Sequence, residues 1–429
     1  MPMPHPTPPR DFHDGYWWED PTRLLLYFIL PLYVLISVSL LGDQKAIERV
    51  YFTSFYALAG GLFLVVLTVA SYAGDSLAPL APLAPRPRAE IPVHILDALF
   101  WLALIGYLVM MGGVIARPAV LISFLTGSAS TYDVLELKGR IAGISTLTQA
   151  GVAYVPLYFY IFRQPVRGLN RYKVFLAVLL VLTVLRSFIF AERLALVELV
   201  LPWVLMVMRF RNVPRRNWLL RLGPFAAIGP LIGFFIANEY NRSWETHYVN
   251  LYDNIFEFAL ERLGMYYSTS LNNGAGLLAI MGWGAGDAVF TFDWLVKFPI
   301  VGEFMRPLVG NGDSYTMFLS DFGDPEFNNP SGIYVHFHEW GWFALLLAAG
   351  MGWLLSRSYA GWRAGDGFWC CAHAVLLVSL LEILRVPNLF SGRNFVPLAL
   401  LWLIFQMAGQ PVRRRLPPVG RGVIRPGPR

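Results

Sequence analysis

Charge is scarce in this chain: Lys, Arg, Asp and Glu make up 14% of its 429 residues, while 56% are hydrophobic. Soluble domains are nearer half apolar and a quarter charged, and the mean hydropathy of +0.51 departs in the same direction. The composition therefore excludes an ordinary soluble protein and predicts a polytopic, all-α membrane protein. Cysteine is nearly absent as well. Cys370 and Cys371 are adjacent inside an expected helix, so no disulfide framework exists and the redox compartment is not reported. No Walker sequence, serine elbow or paired-cysteine motif occurs, which argues against an ATP-driven pump. The first twenty residues, MPMPHPTPPRDFHDGYWWED, lack the charged start, apolar centre and small-residue cleavage site of a signal peptide. They are expected to form a cytoplasmic tail.

What the chain does have is a succession of apolar runs. A crossing takes about 20 residues at about 1.5 Å each, and helices are expected at 21–41, 50–73, 94–116, 141–162, 174–190, 194–208, 218–237, 333–355, 368–384 and 395–408. That predicts about ten transmembrane helices: seven in an N-terminal bundle (21–237), a large loop (238–332), three C-terminal helices (333–410) and a basic tail (411–429). The formal charge of +6 is carried by arginines in short clusters between apolar runs, the pattern that orients helices in a bilayer, and no nucleic-acid partner is read from it. Arg86 and Arg88, the Arg163–Lys173 cluster, the Arg209–Arg221 cluster, Arg357 and Arg363, and Arg413 to Arg415 all fall on one side. Both termini are then cytoplasmic, and the 186–193 turn and the large loop face the opposite side of a bacterial inner membrane.

The stretch KVFLAVLLVLTVLRSFIFAERLALVELVLPWVLMVMRFR is too long for one crossing, and its middle carries Arg186, Glu192 and Arg193. Two crossings meeting at a charged turn are expected. Charge at membrane depth is costly and marks function by default, so the turn lines an anion site or, alternatively, its arginines snorkel to headgroups while Glu192 pairs one of them.

The 238–332 segment is rich in Asn, Asp, Gly, aromatic residues and Pro, and far longer than an ordinary connection. Ile255, Phe258 and Arg262 fall about one helical turn apart, which predicts an amphipathic surface helix. The piece 274–300 contains Asp287, Asp293 and Lys297 and is expected to be re-entrant or interfacial. The glycines at 282, 284 and 286 do not lie between a strand and a helix, so no nucleotide loop is inferred.

Two residue sets carry chemistry. The first is the arginines placed opposite the cytoplasm: Arg117, Arg140, Arg186, Arg193, Arg242, Arg262, Arg306, Arg385 and Arg393. Guanidinium groups grip phosphate oxygens in a two-pronged geometry, so this excess suggests a polyanionic ligand such as a membrane-embedded pyrophosphate; about half are expected to pair with nearby acids. The second set is Tyr334, His336, His338 and Glu339 in GIYVHFHEWGW, of which the histidines and the glutamate are candidates for a general base. Histidines two apart diverge on a helix and no third ligand follows, so no metal is expected.

The turn FAERLALVEL, Arg140 ahead of GISTLTQ, a large late loop and a helix opened by Glu339-Trp340-Gly341 together resemble the bacterial oligosaccharide repeat-unit polymerases of the Wzy type, relatives of the O-antigen ligases. Many of that family carry His-Asn about nine residues before the acid-x-Gly; this chain has Pro330-Ser331 there, which leaves Glu339, His338 and His336 all as candidate bases.

The resemblance implies a glycosyltransferase that moves a growing glycan from undecaprenyl pyrophosphate to a new lipid-linked repeat unit at the periplasmic face, with no cofactor or metal. It implies Arg193, Arg186, Arg140, Arg262, Arg306 and Arg393 as binders of the carrier pyrophosphate, stabilising the leaving group. Tyr266 and its aromatic neighbours would be a sugar platform, membrane lipid a partner, and a chain-length regulator protein a further one. An O-antigen ligase is the near alternative. A flippase of the same lipid-linked sugars is the alternative from another class; it would show an internal repeat and midplane charges, and no clear repeat is found.

Overall fold

A computed structural model describes residues 15–42, 47–77, 91–125, 134–139, 141, 143–163, 170–190, 192–211, 217–240, 244, 252–298, 300–310, 312–324, 327–365 and 367–408. Among these the regular structure is helical, with no strand: α1 (Pro21–Leu41), α2 (Ser54–Leu77), α3 (Ile95–Ile115), α4 (Pro118–Leu125), α5 (Ala150–Ile161), α6 (Arg171–Ile189), α7 (Arg193–Phe210), α8 (Pro224–Glu239), α9 (Ile255–Met281), α10 (Val301–Val309), α11 (Asp313–Asp321), α12 (Tyr334–Trp340), α13 (Ala344–Ala364), α14 (Gly367–Leu381) and α15 (Gly392–Ala408). Among the described residues, five helices are long and apolar enough to cross a membrane: α1, α2, α3, α6, and the run Tyr334–Ala364 that joins α12 to α13. Three more, Pro224–Ala237, Gly367–Leu381 and Gly392–Ala408, are apolar but shorter.

Local sequence explains the starts and breaks. Asp20 caps α1 by accepting from Thr22 N at 2.9 Å, with Pro21 in the first turn where its missing N–H costs nothing. The turn Leu25–Ile29 widens to a π-helix just ahead of Pro31, which lacks the N–H an α-ladder needs. The expected helix 218–237 is broken at Gly223, and 333–355 is broken at Gly341 and then runs on to Ala364. Both glycines hold a positive φ, 58° and 56°, that residues with a Cβ rarely adopt. The expected helix 141–162 is a 3-10 turn, Ser145–Gln149, leading into twelve-residue α5; at about 2.0 and 1.5 Å per residue the two together reach about 28 Å.

The 238–332 segment differs most from expectation. Its first half holds the 27-residue helix α9, whose Phe258 and Arg262 are buried rather than laid on a surface. Its middle, STSLNNGAGLL, is buried too, and its asparagines find partners. Asn272 Oδ1 accepts from Tyr51 N at 2.7 Å and Phe52 N at 3.2 Å, its Nδ2 donates to Arg49 O at 2.8 Å, and Asn273 Nδ2 donates to Phe327 O at 2.9 Å. Gly274 and Gly276 let α12 and Tyr51 approach where a Cβ would collide. The rest of 274–300 is not helix-through-membrane: residues 282–292 fold back onto α12, with Gly284 N donating to Phe337 O at 3.3 Å and Ala285 N to His338 O at 2.8 Å.

Helix–helix contact follows membrane-protein practice. Gly352 of α13 lies so close to α2 that a Cβ would strike Leu67 O, and Gly74 faces Ser356 in the same way. Small residues at such seams allow backbones to pack tightly where lipid offers no hydrophobic drive. The outer faces of α1, α2 and α3 expose Leu, Val and Trp side chains. Polar ties collect at two opposite levels. At one, the foot, Arg171 Nη2 meets Asp97 Oδ2 at 2.7 Å, Arg363 meets Asp75 at 3.7 Å, and Arg209 Nε donates to Trp362 O at 3.0 Å. Helices α3 and α6 begin there, and α2, α7 and α13 end there. The other level, the crown, is where α6 and α14 end and α7 and α15 begin.

Candidate functional site

A cleft of about 580 Å³ opens at the crown. Its charged lining is Glu192 and Arg193 from the α6–α7 turn, Asp293 and Lys297 from the segment before α10, Arg385 after α14, and Arg393 in the first turn of α15. Tyr266, Asn328, Asn329 and Asn388 supply neutral polar lining.

Behind the cleft wall lies an ionic knot. The Glu192 carboxylate receives Arg186 through Nε at 2.8 Å and again through Nη2, takes Lys138 Nζ, and accepts from Arg393 Nη2 at 3.3 Å. Arg393 Nη1 reaches Glu198 at 3.5 Å, and Arg186 Nη1 donates to Thr148 Oγ1 at 3.1 Å. Burial by itself would raise the Glu192 carboxyl, but the charges of Arg186, Arg393 and Lys138 outweigh it and hold the group at about 2. Glu192 is thus ionised at every physiological pH and serves as a fixed anchor for three cations.

The cleft arginines are held by rings as much as by acids. The Arg193 guanidinium lies 3.9 Å from the Phe235 ring centre and 5.3 Å from that of Tyr266. Such stacking fixes the plane of the fork. Arg385 pairs with Glu382 at 2.8 Å and lies 5.8 Å from the Tyr266 ring. Asp293 takes Lys297 Nζ at 2.5 Å and Gly392 N at 3.1 Å, while Trp294 stacks on Phe395 at 3.8 Å. Around the cleft and its knot, six cations (Lys138, Arg186, Arg193, Lys297, Arg385, Arg393) face four carboxylates (Glu192, Glu198, Asp293, Glu382). The balance is positive.

Of the sequence-expected residues, Arg193, Arg393 and Tyr266 line the cleft. Arg186 is 4% exposed and stands behind it in the knot. Arg262 is buried between the rings of Phe258 and Phe327, at 5.3 and 5.0 Å, and Arg306 is exposed on α10; neither is among the lining residues. Arg140 lies outside the described residues.

The expected proton acceptors are elsewhere. Glu339 is 3% exposed, and its carboxylate accepts from Phe290 N, from Thr291 N at 3.2 Å and from Thr291 Oγ1 at 2.5 Å. It latches the 282–292 segment to the end of α12. His338, 1% exposed, donates from Nδ1 to Gly282 O at 2.9 Å, so its Nε2 is the acceptor facing Ser314 Oγ at 3.2 Å. His336 stacks on Phe63 and meets Phe390 edge-on, with Nδ1 3.4 Å from Thr291 Oγ1. These three side chains brace the cleft's floor from inside; none lines it.

Sequence reasoning passed over Lys138, Asp293, Lys297 and Asn388 as site residues. Asn388 is 3% exposed, and its Nδ2 has no hydrogen-bond partner among the described residues, a free donor at the cleft wall. Its signal in sequence is slight: a short Val-Pro-Asn turn after an apolar helix. Compared with known protein families, curated proteins and solved structures, the chain matches none.

Proposed function

We propose that this protein is a membrane-embedded glycosyltransferase of the repeat-unit polymerase kind, acting on a polyprenyl-pyrophosphate-linked glycan at the non-cytoplasmic face of a bacterial inner membrane. In this reading the foot of the bundle is cytoplasmic, as the arginine clusters suggest, the shorter helices complete about ten crossings, and the crown faces the periplasm. The observation that carries the proposal is the crown cleft itself, where Arg193, Arg385, Arg393 and Lys297 converge with amide side chains at the ends of membrane helices.

The chemistry fits such a cleft. A sugar hydroxyl oxygen of the acceptor attacks the anomeric carbon of the donor glycan; the bond from that carbon to the pyrophosphate oxygen breaks, and the electron pair leaves on the pyrophosphate. The arginines, already oriented by rings and acids, stabilise that developing charge without reorganising. The hydroxyl proton passes to Asp293, a cleft carboxylate paired to one largely exposed lysine. Glu192 is too weak a base for that role, since three cations hold it near 2.

Each charge-assisted contact from Arg193 is worth about 1.5–3 kcal/mol, or roughly ten- to more than a hundredfold in rate at about 1.4 kcal/mol per decade. Purified Arg193→Ala should lose that much polymer formed per mole of enzyme from lipid-linked repeat units. Arg193→Lys should recover only part, because it keeps the charge and loses the fork. Equal turnover for wild type and both variants would remove the cleft from the reaction. Translocation of the substrate without transfer would make the protein a flippase.

A further inference from the structure

The nine-residue helix α10 presents a surface that the fold leaves uncovered. Val301, Phe304, Met305 and Leu308 recur at the spacing of one helix face. Phe304 and Leu308 are 74% and 77% exposed, and Ile300, at the helix entrance, is 74% exposed. The adjoining side is anchored: Gly302 and Val309 are buried, Met305 packs against the cluster of Ala288, Val296 and Val309, and Ala288 N donates to Val309 O at 2.8 Å, which leaves Phe304 and Leu308 as the uncovered part of the face.

The level of this helix is fixed by what precedes it. Asp293 bonds Gly392 N, the first residue of α15, and Trp294 stacks on Phe395 one turn further on. The segment is therefore bolted to the start of an apolar helix, at the height where other membrane helices begin and end. Lys297, with a side chain 73% exposed and paired to Asp293, precedes the helix, and Arg306 and Glu303 stand exposed on its polar side. A short helix with an exposed apolar face, a charged opposite side and a place at the ends of membrane helices has the makeup of a segment lying in the boundary between headgroups and acyl chains, with Arg306 within reach of the headgroup layer.

We propose that α10, with Phe298 and Ile300 before it, docks into the bilayer surface beside the cleft, so that the cleft opens onto the plane of the membrane. Asp293 and Lys297 belong both to the cleft lining and to the segment leading into α10. A lipid-anchored headgroup then reaches the cationic lining by lateral movement, and its hydrocarbon tail never leaves the bilayer. The occupant of the α10 face is lipid, and this holds whether or not the cleft transfers sugars.

The test uses the full-length protein in lipid nanodiscs, with a polarity-sensitive fluorophore attached to Phe304→Cys, Leu308→Cys or Glu303→Cys in turn. The native Cys370 and Cys371 are fully buried and do not compete for label. At 304 and 308 the emission should shift to the blue, be quenched by lipid spin-labelled near its headgroup, and resist iodide in the water phase; at 303 it should respond to iodide. Equal iodide quenching at all three positions overturns the proposal. Energy transfer between labels on different copies in multi-copy discs also overturns it, by showing that a second chain covers the face. No glycan enters this measurement, so its outcome is independent of the polymerase assay.

Discussion

Replacing Glu192 by Gln removes one negative charge from among three cations and changes almost nothing in shape. The carboxyl stands at about 2 against an ordinary 4.5, and a tenfold change in proton equilibrium is about 1.4 kcal/mol. The fold therefore favours the ionised form by about 3 kcal/mol. Because the native value is depressed, this stabilisation is fully present above pH 4.5, declines as pH falls below that, and is gone near pH 2. Glu192→Gln should thus be less stable than wild type by about 3 kcal/mol at pH 7, and the gap should narrow steadily on acidification from pH 4.5. Reversible unfolding in mixed micelles, titrated with denaturing detergent across that range, measures both. In an Arg393→Met background the same substitution should cost less, since one of the three attractions is already gone. Equal unfolding midpoints at pH 7, or a gap indifferent to acid, would refute the account of Glu192 as the anchor of the knot.

Three further outcomes follow from buried groups away from the cleft lining. At the foot, Glu19 is fully buried; burial pushes its carboxyl up to about 7, only partly opposed by the 3.2 Å bond from Trp362 Nε1 and the charge of Arg209. The protonated form is favoured, so wild type loses about 3 kcal/mol as pH rises from 4.5 through 7, and Glu19→Gln should unfold at higher detergent than wild type at pH 8 while matching it at pH 4. At the crown, Glu339→Ala strands two backbone N–H donors and a hydroxyl, at about 1–3 kcal/mol each. Membrane-integrated protein should fall steeply in blots, whereas His338→Gln should keep turnover per molecule within a few-fold; a well-expressed but inactive His338→Gln would return that residue to the chemistry.

The charged turn at 186–193 is readable in the sequence because two arginines and a glutamate interrupt an apolar run, and few architectures permit that. Which of those charges faces a ligand is not readable: Arg186 and Arg193 are seven residues apart, yet one closes the knot and the other stacks on rings at the cleft. Helix α9 escapes a hydropathy reading because its buried middle, Ser268 to Gly276, is polar and small, and its partners lie in segments about 50 to 220 residues away. Glu339, His338 and His336 illustrate a deeper ambiguity. The residue types that do acid–base work are also those that can satisfy a buried loop's N–H groups, and spacing alone does not distinguish the two. Asp293 and Lys297 give no sign of their place until α15 is packed against Trp294.

The ionic knot also orders events in time. Arg393 lies 201 residues beyond Glu192, so during synthesis the α6–α7 hairpin is made long before its last cation exists. Until then Glu198, buried within α7, lacks the guanidinium that reaches it in the finished protein. Arrival of α15 closes both vacancies at once through a single side chain. Helix α15 therefore works as a seal on completeness: a chain that stops short of it leaves Glu198 without the guanidinium that reaches it, and the cleft is assembled only in molecules whose translation has passed α15.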